Sequence, residues 1–330
     1  MNTLFADANV VLLWGLALGG GFVVLVASLW VSYRVVRATN ARPLEWLRVR
    51  LGRGKDLTTL AARLGVSVQE LQGVELFYRE SLIPKKRGGQ RRLLIPDQPL
   101  KAMQRRVLRR LLRRLRAHPA AHGFEQGKSI VTNALPHVGQ CVVIKMDLVD
   151  FFPSTTAQRL DAYFRRVGWN AQAAALLVRL VTHAGVLPQG APTSPRLSNL
   201  VNFNLDARIA RFVAKRKGAY TRYADDITIS FPKDHPRKVR GTIQKVKRIV
   251  RDFGYRIHVR GKLQILRKHQ QQRVTGLVVN ARAQLPRKLR HWLRAVEHRL
   301  RTRGEASLSP QQLAGWRALQ GMIAKQAKTD

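Results

Sequence analysis

The longest apolar run of the chain lies close to its first residue. Residues 8–33 contain no charged side chain, and Val10 to Val31 are enough to cross a hydrocarbon core of roughly 30 Å as a helix. Trp14 and Trp30 stand near the two ends of the run, where interfacial aromatic side chains are common. The pattern therefore predicts an N-terminal tail and a transmembrane helix at 1–33.

The segment after this run is basic. Residues 34–56 are rich in Arg and Lys, whereas the segment before the run has neither. Positive charge collects on the cytoplasmic side of membrane helices. We therefore expect a basic juxtamembrane linker at 34–56, with the remainder of the chain in the cytoplasm.

Three further stretches have the periodicity of helices. The stretch from Leu57 to Leu71, interrupted at Gly65, is similar to a small helix-turn-helix. Lys101 to His118 and Arg287 to Arg303 each predict one amphipathic helix, with an apolar stripe on one side and mostly Arg on the others. Such helices can pack on a core and present charge to phosphates.

Two stretches have the pattern of strands. Val142 to Met146 predict a short apolar strand that ends at Asp147. Tyr220 to Phe231 predict two strands joined by a tight turn at Ala224-Asp225-Asp226. Strand ends and hairpin turns are places where carboxylates can converge without being buried.

The charge of the chain restricts its partners. Lys and Arg number 60 and Asp and Glu number 19, which gives a formal net charge of +41. A chain with this charge repels itself unless a polyanion neutralises it, so nucleic acid is the first candidate partner and an anionic membrane surface the second. The single cysteine, Cys141, lies in an apolar run, and we expect a buried, inert thiol.

The few carboxylates include one close pair. Asp225 and Asp226 follow Asp147 by 78 and 79 residues, and converging carboxylates are stable only with cations. Mg²⁺ prefers a few carboxylates together with waters and substrate phosphates. Two such ions would favour phosphoryl transfer. On the dipeptide alone, a polar turn is the favoured interpretation, so the surrounding residues have to decide.

Four motifs in order around this pair resemble the reverse-transcriptase family. The turn resembles the catalytic hairpin of the family, and the others resemble its fingers segment, its first aspartate motif and the loop over the template–primer and nucleotide. The motifs are 83–91 (Ile-Pro-Lys-Lys-Arg-Gly-Gly-Gln-Arg), 145–154 (Lys-Met-Asp-Leu-Val-Asp-Phe-Phe-Pro-Ser), 187–195 (Leu-Pro-Gln-Gly-Ala-Pro-Thr-Ser-Pro) and 223–226 (Tyr-Ala-Asp-Asp).

The resemblance implies an α+β fold of the right-hand polymerase type. Fingers, a palm with an antiparallel sheet and a helical thumb would follow the single transmembrane helix. That helix is predicted by the apolar run and not by the family pattern, and it implies an inner-membrane protein of a bacterium. The expected ranges are 1–33 for the tail and membrane helix, 34–56 for the linker, 57–140 for the fingers and N-terminal helices, 141–283 for the palm with fingers insertions, and 284–330 for the thumb.

The same resemblance implies a role for each matched residue. Asp147, Asp225 and Asp226 would be catalytic and would hold two Mg²⁺ ions, with the backbone carbonyl of Leu148 completing one coordination shell. Five further residues would bind the incoming deoxynucleotide: Lys86 and Arg91 at the triphosphate, Phe152 below the sugar, Gln189 beside the nucleotide, and Lys262 near the pyrophosphate. Phe152 would exclude a 2′-hydroxyl by clashing with it.

Two more patterns are similar to marks of retron reverse transcriptases. They are Asn133-Ala-Leu-Pro-His137, between the fingers and the first aspartate motif, and Val274-Thr275-Gly276, after the palm. Enzymes of that group bind a structured non-coding RNA of their own locus and start DNA synthesis from an internal guanosine 2′-hydroxyl. The product is branched RNA–DNA, and the biological role is defence against phage, usually with an effector protein. The resemblance implies RNA contacts at these five motif residues: Asn133, His137, Val274, Thr275 and Gly276.

Three alternatives remain open from the sequence. The first is another bacterial reverse transcriptase of the intron, diversity-generating or other defence-associated type. The second is a membrane-tethered RNA-binding scaffold with an inactive site, and the third is a basic structural protein at the membrane. The intact Asp147, Asp225 and Asp226 argue against the second, and the ordered motifs argue against the third.

Overall fold

The structure is a computed structural model that describes residues 54–85, 88–258, 262–304 and 306–327. The helices are α1 (Leu57–Leu64), α2 (Val68–Gln72), α3 (Gln98–Arg110), α4 (Ile130–Ala134), α5 (Ala157–Arg166), α6 (Ala171–Val181), α7 (Ser194–Val201), α8 (Phe203–Ala214), α9 (Pro236–Asp252), α10 (Arg287–Arg303) and α11 (Pro310–Gln326). The strands are β1 (Tyr78–Pro84), β2 (Gln90–Pro96), β3 (Val142–Asp147), β4 (Ala219–Tyr223), β5 (Asp226–Phe231), β6 (Gln264–Arg267), β7 (Arg273–Val274) and β8 (Leu277–Val278).

The described residues divide into two compact units. Residues 54–73 and 161–178 form one, and the others form the second. This division differs from the ranges expected for fingers, palm and thumb, and those ranges stay a prediction.

The smaller unit contains the predicted helix-turn-helix. α1 begins after Asp56, whose carboxylate accepts a hydrogen bond from the Thr59 N–H at 2.8 Å. It ends at Gly65, whose φ of 66° is favourable for glycine and ends a helix. The predicted interruption at Gly65 is therefore confirmed, with α2 following it. Lys55 pairs with Trp169 in an isolated parallel bridge beside these helices.

The central sheet of the larger unit has four strands in the order β4-β5-β3-β6, and every neighbouring pair is antiparallel. β3 covers the predicted strand and ends at Asp147 as expected. β4 and β5 form the predicted hairpin, with Tyr223 opposite Asp226 and two residues, Ala224 and Asp225, in the turn. Both strand predictions are confirmed.

The strand β3 contributes to two hydrophobic cores because successive side chains of a strand point to opposite faces. Val142, Ile144 and Met146 pack with residues of α8 and α9 in one core. Val143 packs with residues of α4, β7, β8, α10 and α11 in the other. Full burial of each such side chain contributes about 1.5–3 kcal/mol. The two cores hold β3, and hence Asp147, in a fixed position.

The hairpin β1–β2 is much more exposed. Leu82 and Ile83 are 54% and 45% exposed, and the turn that follows contains Gly88 and Gly89 with φ of 87° and 79°. The Leu94 N–H of β2 donates to the Gln189 carbonyl at 2.8 Å. That bond ties the hairpin to the loop before α7.

Two local predictions need correction. The helix expected to reach His118 ends at Arg110, followed by a short 3₁₀ turn. The Arg196 guanidinium donates to the carbonyls of Leu112 and Leu115, so it supplies the partners that a longer helix would have provided. Cys141 is half-buried rather than buried. The predicted helix from Arg287 to Arg303 is confirmed as α10.

The membrane prediction also needs correction. None of the helices within residues 54–327 that the structure describes is long and apolar enough to cross a bilayer. The predicted helix at 1–33 and most of the linker at 34–56 lie outside the described residues. The α+β part of the fold class holds, but its transmembrane helix and the inner-membrane location are not supported.

Candidate active site

The three aspartates lie at the ends of two neighbouring strands. Asp147, the last residue of β3, is directly opposite Asp226, the first residue of β5. The Leu148 N–H donates to the Asp225 carbonyl at 3.0 Å, which places the turn against the end of β3. Ala224 has a φ of 57°, a conformation that is uncommon for a residue with a side chain. The sequence prediction that these carboxylates converge at strand ends is consistent with this register.

The turn brings carboxylates of like charge together at half-buried positions. Burial raises the pKa of both Asp225 and Asp226, and the nearby charge of Asp147 raises each pKa further. Lys262 opposes this and lowers the pKa of both, and Lys145 does the same for Asp226. A site that raises the pKa of its carboxyl groups gains stability from any added cation.

Two basic side chains contact Asp147. Lys262 Nζ lies 2.6 Å from Asp147 Oδ2, and His258 Nε2 lies 3.5 Å from the same oxygen. The backbone of this segment also runs beside β3, because the His258 N–H donates to the Asp147 carbonyl at 2.8 Å. The structure therefore places Lys262 at Asp147, and its predicted role toward pyrophosphate stays a prediction.

The donor set fits a hard divalent cation in its chemistry. Carboxylate and carbonyl oxygens are what Mg²⁺ and Mn²⁺ prefer. Burial and the charge of Asp147 still raise the pKa of Asp225 and Asp226, although Lys262 lowers both. In this conformation, no three His, Cys, Asp or Glu side chains of the described residues converge on one point. Metal coordination by Asp147, Leu148, Asp225 and Asp226 accordingly stays a prediction.

Phe152 lies in an aromatic group below the turn. Its ring centroid is 5.4 Å from that of Phe151 and 6.2 Å from that of Phe124, which is 48% exposed. Phe151 is buried and stacks on Tyr255 at 5.9 Å. Phe152 is half-buried, so one part of its ring packs and another part remains accessible. That position is compatible with the predicted contact with the sugar.

The residues expected at the triphosphate lie on the exposed hairpin. Arg91 is exposed on β2, and it has no ion pair with any residue that the structure describes. Its neighbour Arg92 points to the other face of the ribbon and pairs with Glu80 at 2.8 Å. Of these two arginines, Arg91 is thus the one available to an anion. Lys86 lies outside the described residues.

Gln189 lies in a loop that is pressed against β2. Its carbonyl accepts the Leu94 N–H, and a Cβ added to Gly190 would come within 2.7 Å of the Leu94 carbonyl oxygen. Only glycine fits that close approach, and its φ of 128° requires glycine as well. The loop and the hairpin are therefore joined through their backbones.

Asn133 and His137 are buried, 1% and 0% exposed. His137 Nδ1 lies 2.7 Å from Ser230 Oγ and Nε2 lies 2.8 Å from Thr221 Oγ1, so the ring bridges β5 and β4. Burial lowers the pKa of His137 to about 3, which keeps the ring neutral. This geometry favours a structural role for His137, and the RNA contacts expected of both residues stay a prediction.

The second retron mark forms a tight hairpin. Val274 pairs with Leu277, and Thr275 and Gly276 form the turn with φ of 45° and 87°. Positive φ at both positions is the signature of a type I′ turn. Thr275 Oγ1 donates to the Ile130 carbonyl at 2.8 Å, so the two marks are in contact through α4. Of the mark, Gly276 is exposed and Val274 is buried.

Sequence reasoning missed a buried group behind the turn. Arg222 and Asp206 are both 0% exposed and form a two-bond ion pair. The signal was present: an arginine stands in the middle of an apolar hairpin strand, and an aspartate stands in an apolar helix of a chain poor in acids. Charged residues are almost never fully buried unless they are paired.

Comparisons with known proteins agree with this geometry. Residues 83–279 match the family described as reverse transcriptase (RNA-dependent DNA polymerase). The retron Ec83 reverse transcriptase of Escherichia coli is 32% identical over 221 residues, which are 61% of this chain and 68% of that protein. The chain belongs to the retron reverse transcriptase family.

Other retron reverse transcriptases are more similar in sequence. That of retron Mx162 of Myxococcus xanthus is 39% identical over 313 residues, 82% of this chain and 63% of the relative. That of retron Ec86 of Escherichia coli is 36% identical over 208 residues, 59% of this chain and 61% of the relative. The chain thus spans about three-fifths of the length of these relatives. Reverse transcriptases generally use divalent metal ions.

Proposed function

We propose that this retron reverse transcriptase is an RNA-directed DNA polymerase. It copies a cognate structured non-coding RNA into DNA by phosphoryl transfer, starting from an internal RNA 2′-hydroxyl, so that the product is branched RNA–DNA. The observation that carries the proposal is the register that sets Asp147 opposite Asp226 with Asp225 in the turn between β4 and β5.

The aspartates provide the reaction centre. Asp147, Asp225 and Asp226, with the Leu148 carbonyl, would hold two Mg²⁺ ions. Bound there, such ions lower the pKa of an attacking hydroxyl and stabilise the charge of the leaving pyrophosphate. The chain itself contributes the rigid spacing of its carboxylates, which β3 and β5 determine.

The incoming deoxynucleotide would lie between the exposed hairpin and the palm. Arg91, with Lys86, binds the triphosphate, because a guanidinium can form two parallel hydrogen bonds to phosphate oxygens. Gln189 orients the nucleotide from the loop beside β2. Lys262, which pairs with Asp147 at 2.6 Å, would be the proton donor to the leaving pyrophosphate.

Phe152 would select the sugar. Its half-buried ring packs against the buried Phe151 and the exposed Phe124, so it cannot yield to a 2′-hydroxyl without disturbing Phe151. A site that rejects the wrong substrate by a clash gains specificity without gaining affinity.

The RNA substrate class rests on the charge and on the relatives. A net charge of +41 favours a polyanion, and structured RNA is recognised through its shape, phosphates and 2′-hydroxyls. The exposed arginines of α10 fit such contacts. We further propose that the branched product serves antiphage defence together with an effector protein, as the retron resemblance implies.

The deciding experiment replaces both turn carboxylates. We expect Asp225→Asn with Asp226→Asn to reduce DNA synthesis by at least about a thousandfold. The fold should persist, because the variant removes like charges whose pKa values are already raised. Primer extension with an RNA template and a thermal melt measure the two effects.

A matched control makes the same change of charge elsewhere. Asp161→Asn with Asp252→Asn removes two partly exposed carboxylates that pair with Arg165 and Arg208. This control should keep its activity. DNA synthesis that is undiminished in the turn variant would contradict the proposed reaction centre.

The priming proposal needs a separate test. Nucleic acid that co-purifies with the protein should contain DNA joined to an internal RNA 2′-oxygen, and a debranching enzyme should release it. DNA with a free 5′ end would contradict priming from the 2′-hydroxyl while leaving polymerase activity intact.

A further inference from the structure

The buried ion pair behind the catalytic turn has more hydrogen bonds than a simple pair. Arg222 Nε and Nη2 donate to the two oxygens of Asp206 at 2.7 and 2.6 Å. The Tyr220 hydroxyl donates to the same carboxylate at 2.6 Å. Burial raises the pKa of Tyr220 well above its usual range, so the hydroxyl keeps the proton that it donates.

Stability alone does not account for this group. Burying two charges is costly, and apolar residues of similar volume in such places are often equally or more stabilising. Arg222, Asp206 and Tyr220 together occupy a position between β4 and α8 that three apolar side chains could fill. A buried charge in such a place invites a functional explanation.

The third guanidinium nitrogen points to that explanation. Arg222 Nη1 donates to the Ala224 carbonyl at 2.8 Å, and this carbonyl belongs to the peptide that joins Ala224 to Asp225. The next carbonyl, that of Asp225, accepts the Leu148 N–H at 3.0 Å. Both peptide planes that flank Asp225 are therefore held from inside the protein.

The turn needs such support because its conformation is unfavourable. Ala224 has a φ of 57°, which most residues with a side chain avoid. The opposite side of the turn is closed by Gly123, where an added Cβ would lie 2.6 Å from the Ala224 nitrogen. Without the Arg222 bond the turn could relax toward a more common geometry and carry Asp225 with it.

Arg222 also contacts the aromatic group that ends in Phe152. Its guanidinium lies 5.5 Å from the centroid of the Phe151 ring, within cation–π range. Phe151 is adjacent to Phe152 in sequence and in packing. One buried cation thus touches both the turn of Asp225 and the neighbour of the predicted sugar gate.

We propose that Arg222 is a positioning residue for the catalytic turn: anchored by Asp206 and Tyr220, it fixes the Ala224 carbonyl and so the direction of Asp225. The inference rests on the proposed polymerase function. It assigns the buried pair to the alignment of a metal-binding carboxylate rather than to stability.

The test replaces the group by apolar residues. The triple variant Tyr220→Phe, Asp206→Leu, Arg222→Met keeps the volume and leaves no buried charge without a partner. We expect it to fold, to lose about 10- to 100-fold in kcat and to change the KM for deoxynucleotide less than about threefold, as a misplaced catalytic group would. Binding of Mn²⁺, followed by its electron paramagnetic resonance signal, should weaken in the same variant.

Two comparisons make the outcome decisive. Arg208 of α8 is also paired with a carboxylate, that of Asp252, at 2.8 Å. The variant Arg208→Met should leave kcat and Mn²⁺ binding unchanged. Arg222→Lys keeps the positive charge beside Asp206, so the variant should fold. Because lysine has no planar fork and cannot bond Asp206 and Ala224 together, the variant should show the same loss of kcat. If the triple variant does not fold, Arg222→Lys decides by the same measurements.

Failure of this inference is distinguishable from failure of the proposed function. Wild-type protein that makes no DNA would overturn the function. The positioning role alone would be overturned if the wild-type protein makes DNA and a folded variant matches it. That variant is either the triple variant or Arg222→Lys, with a kcat and a Mn²⁺ affinity equal to those of the wild type.

Discussion

Two antiparallel hairpins carry residues assigned to the reaction, and they are built in opposite ways. In β4–β5 the side chains of Ile227, Ile229 and Phe231 are fully buried. In β1–β2 the side chains of Leu82 and Ile83 are about half exposed. The first hairpin holds the catalytic turn, whereas the second holds the arginine expected at the triphosphate.

The difference follows from what each hairpin has to do. Carboxylates that repel one another stay at fixed spacing only on a rigid support. One buried core provides it for both β3 and β5, and a second core supports β3 from its other face. Residues that bind and release a nucleotide benefit from an element with few buried contacts, since such elements open at low free energy. The contrast places the proposed reaction centre on the buried hairpin and the proposed triphosphate contact on the exposed one.

The largest expected effect breaks the rigid hairpin. Ile229→Ala removes a fully buried side chain from the middle of the sheet and should lower the free energy of unfolding by about 2–5 kcal/mol. The matched change Leu82→Ala, on the 54% exposed hairpin, should change it by less than about 0.5 kcal/mol. Urea unfolding measures both, and equal losses would contradict the contrast.

The next effect separates the chemical roles of the hairpins. Phe152→Ala should raise ribonucleotide incorporation relative to deoxynucleotide by about 10- to 100-fold, because the ring no longer blocks a 2′-hydroxyl. Arg91→Ala should raise the KM of both nucleotide types by about tenfold, because it removes a charged hydrogen-bond donor to the triphosphate, which both types share.

The kcat/KM of each nucleotide, measured on one template with both variants, checks this pair. Unchanged sugar discrimination in Phe152→Ala would remove its gate role. A change of sugar discrimination in Arg91→Ala would show that triphosphate binding and sugar selection are not separate.

The smallest effect is a pH dependence that belongs to the buried hairpin. His137, which bridges β4 and β5, has its pKa lowered by burial to about 3, against about 6.5 in the unfolded chain. Between these values the unfolded chain binds a proton that the folded chain does not. Stability should therefore be lost as the pH falls below about 6.5, by about 1.4 kcal/mol per pH unit.

Unfolding in urea at pH 7, 6 and 5 tests this sign. His137→Asn should flatten the slope by about 1.4 kcal/mol per pH unit, whereas the exposed His298→Asn on α10 should leave it unchanged. Neither strand of the exposed hairpin contains a histidine. A slope that His137→Asn leaves intact would place the titrating group elsewhere.

Local pattern was sufficient for the strands and for α10. β3 and the hairpin of Tyr223 have strong period-two or apolar patterns ended by turn residues, and α10 has one clean apolar stripe. The prediction of a helix to His118 was wrong because Arg196, which is distant in sequence, donates hydrogen bonds to the carbonyls of Leu112 and Leu115. A periodic pattern does not reveal a competing donor from another element.

The site shows the same limit. Asp147, Asp225 and Phe152 were assigned from the order of motifs along the chain, and their roles stay predictions. Arg222 and Asp206 belong to no such motif. Their charges in apolar segments were a signal, but their pairing depends on hydrogen bonds that form only when α8 packs on β4. The apolar run at 1–33 shows the opposite error, in which composition alone predicted a membrane helix that the described structure does not support.

The contact between the two retron marks has a consequence for protein engineering. Thr275 bonds the carbonyl of Ile130 at the start of α4, and Ser129 beside it bonds Gln326 at the end of α11. Three segments that are far apart in sequence are therefore joined by neighbouring hydrogen bonds. Chimeras between relatives that exchange any of 129–138, 272–279 and α11 should transplant all three together, because exchanging only one would leave its neighbours mismatched.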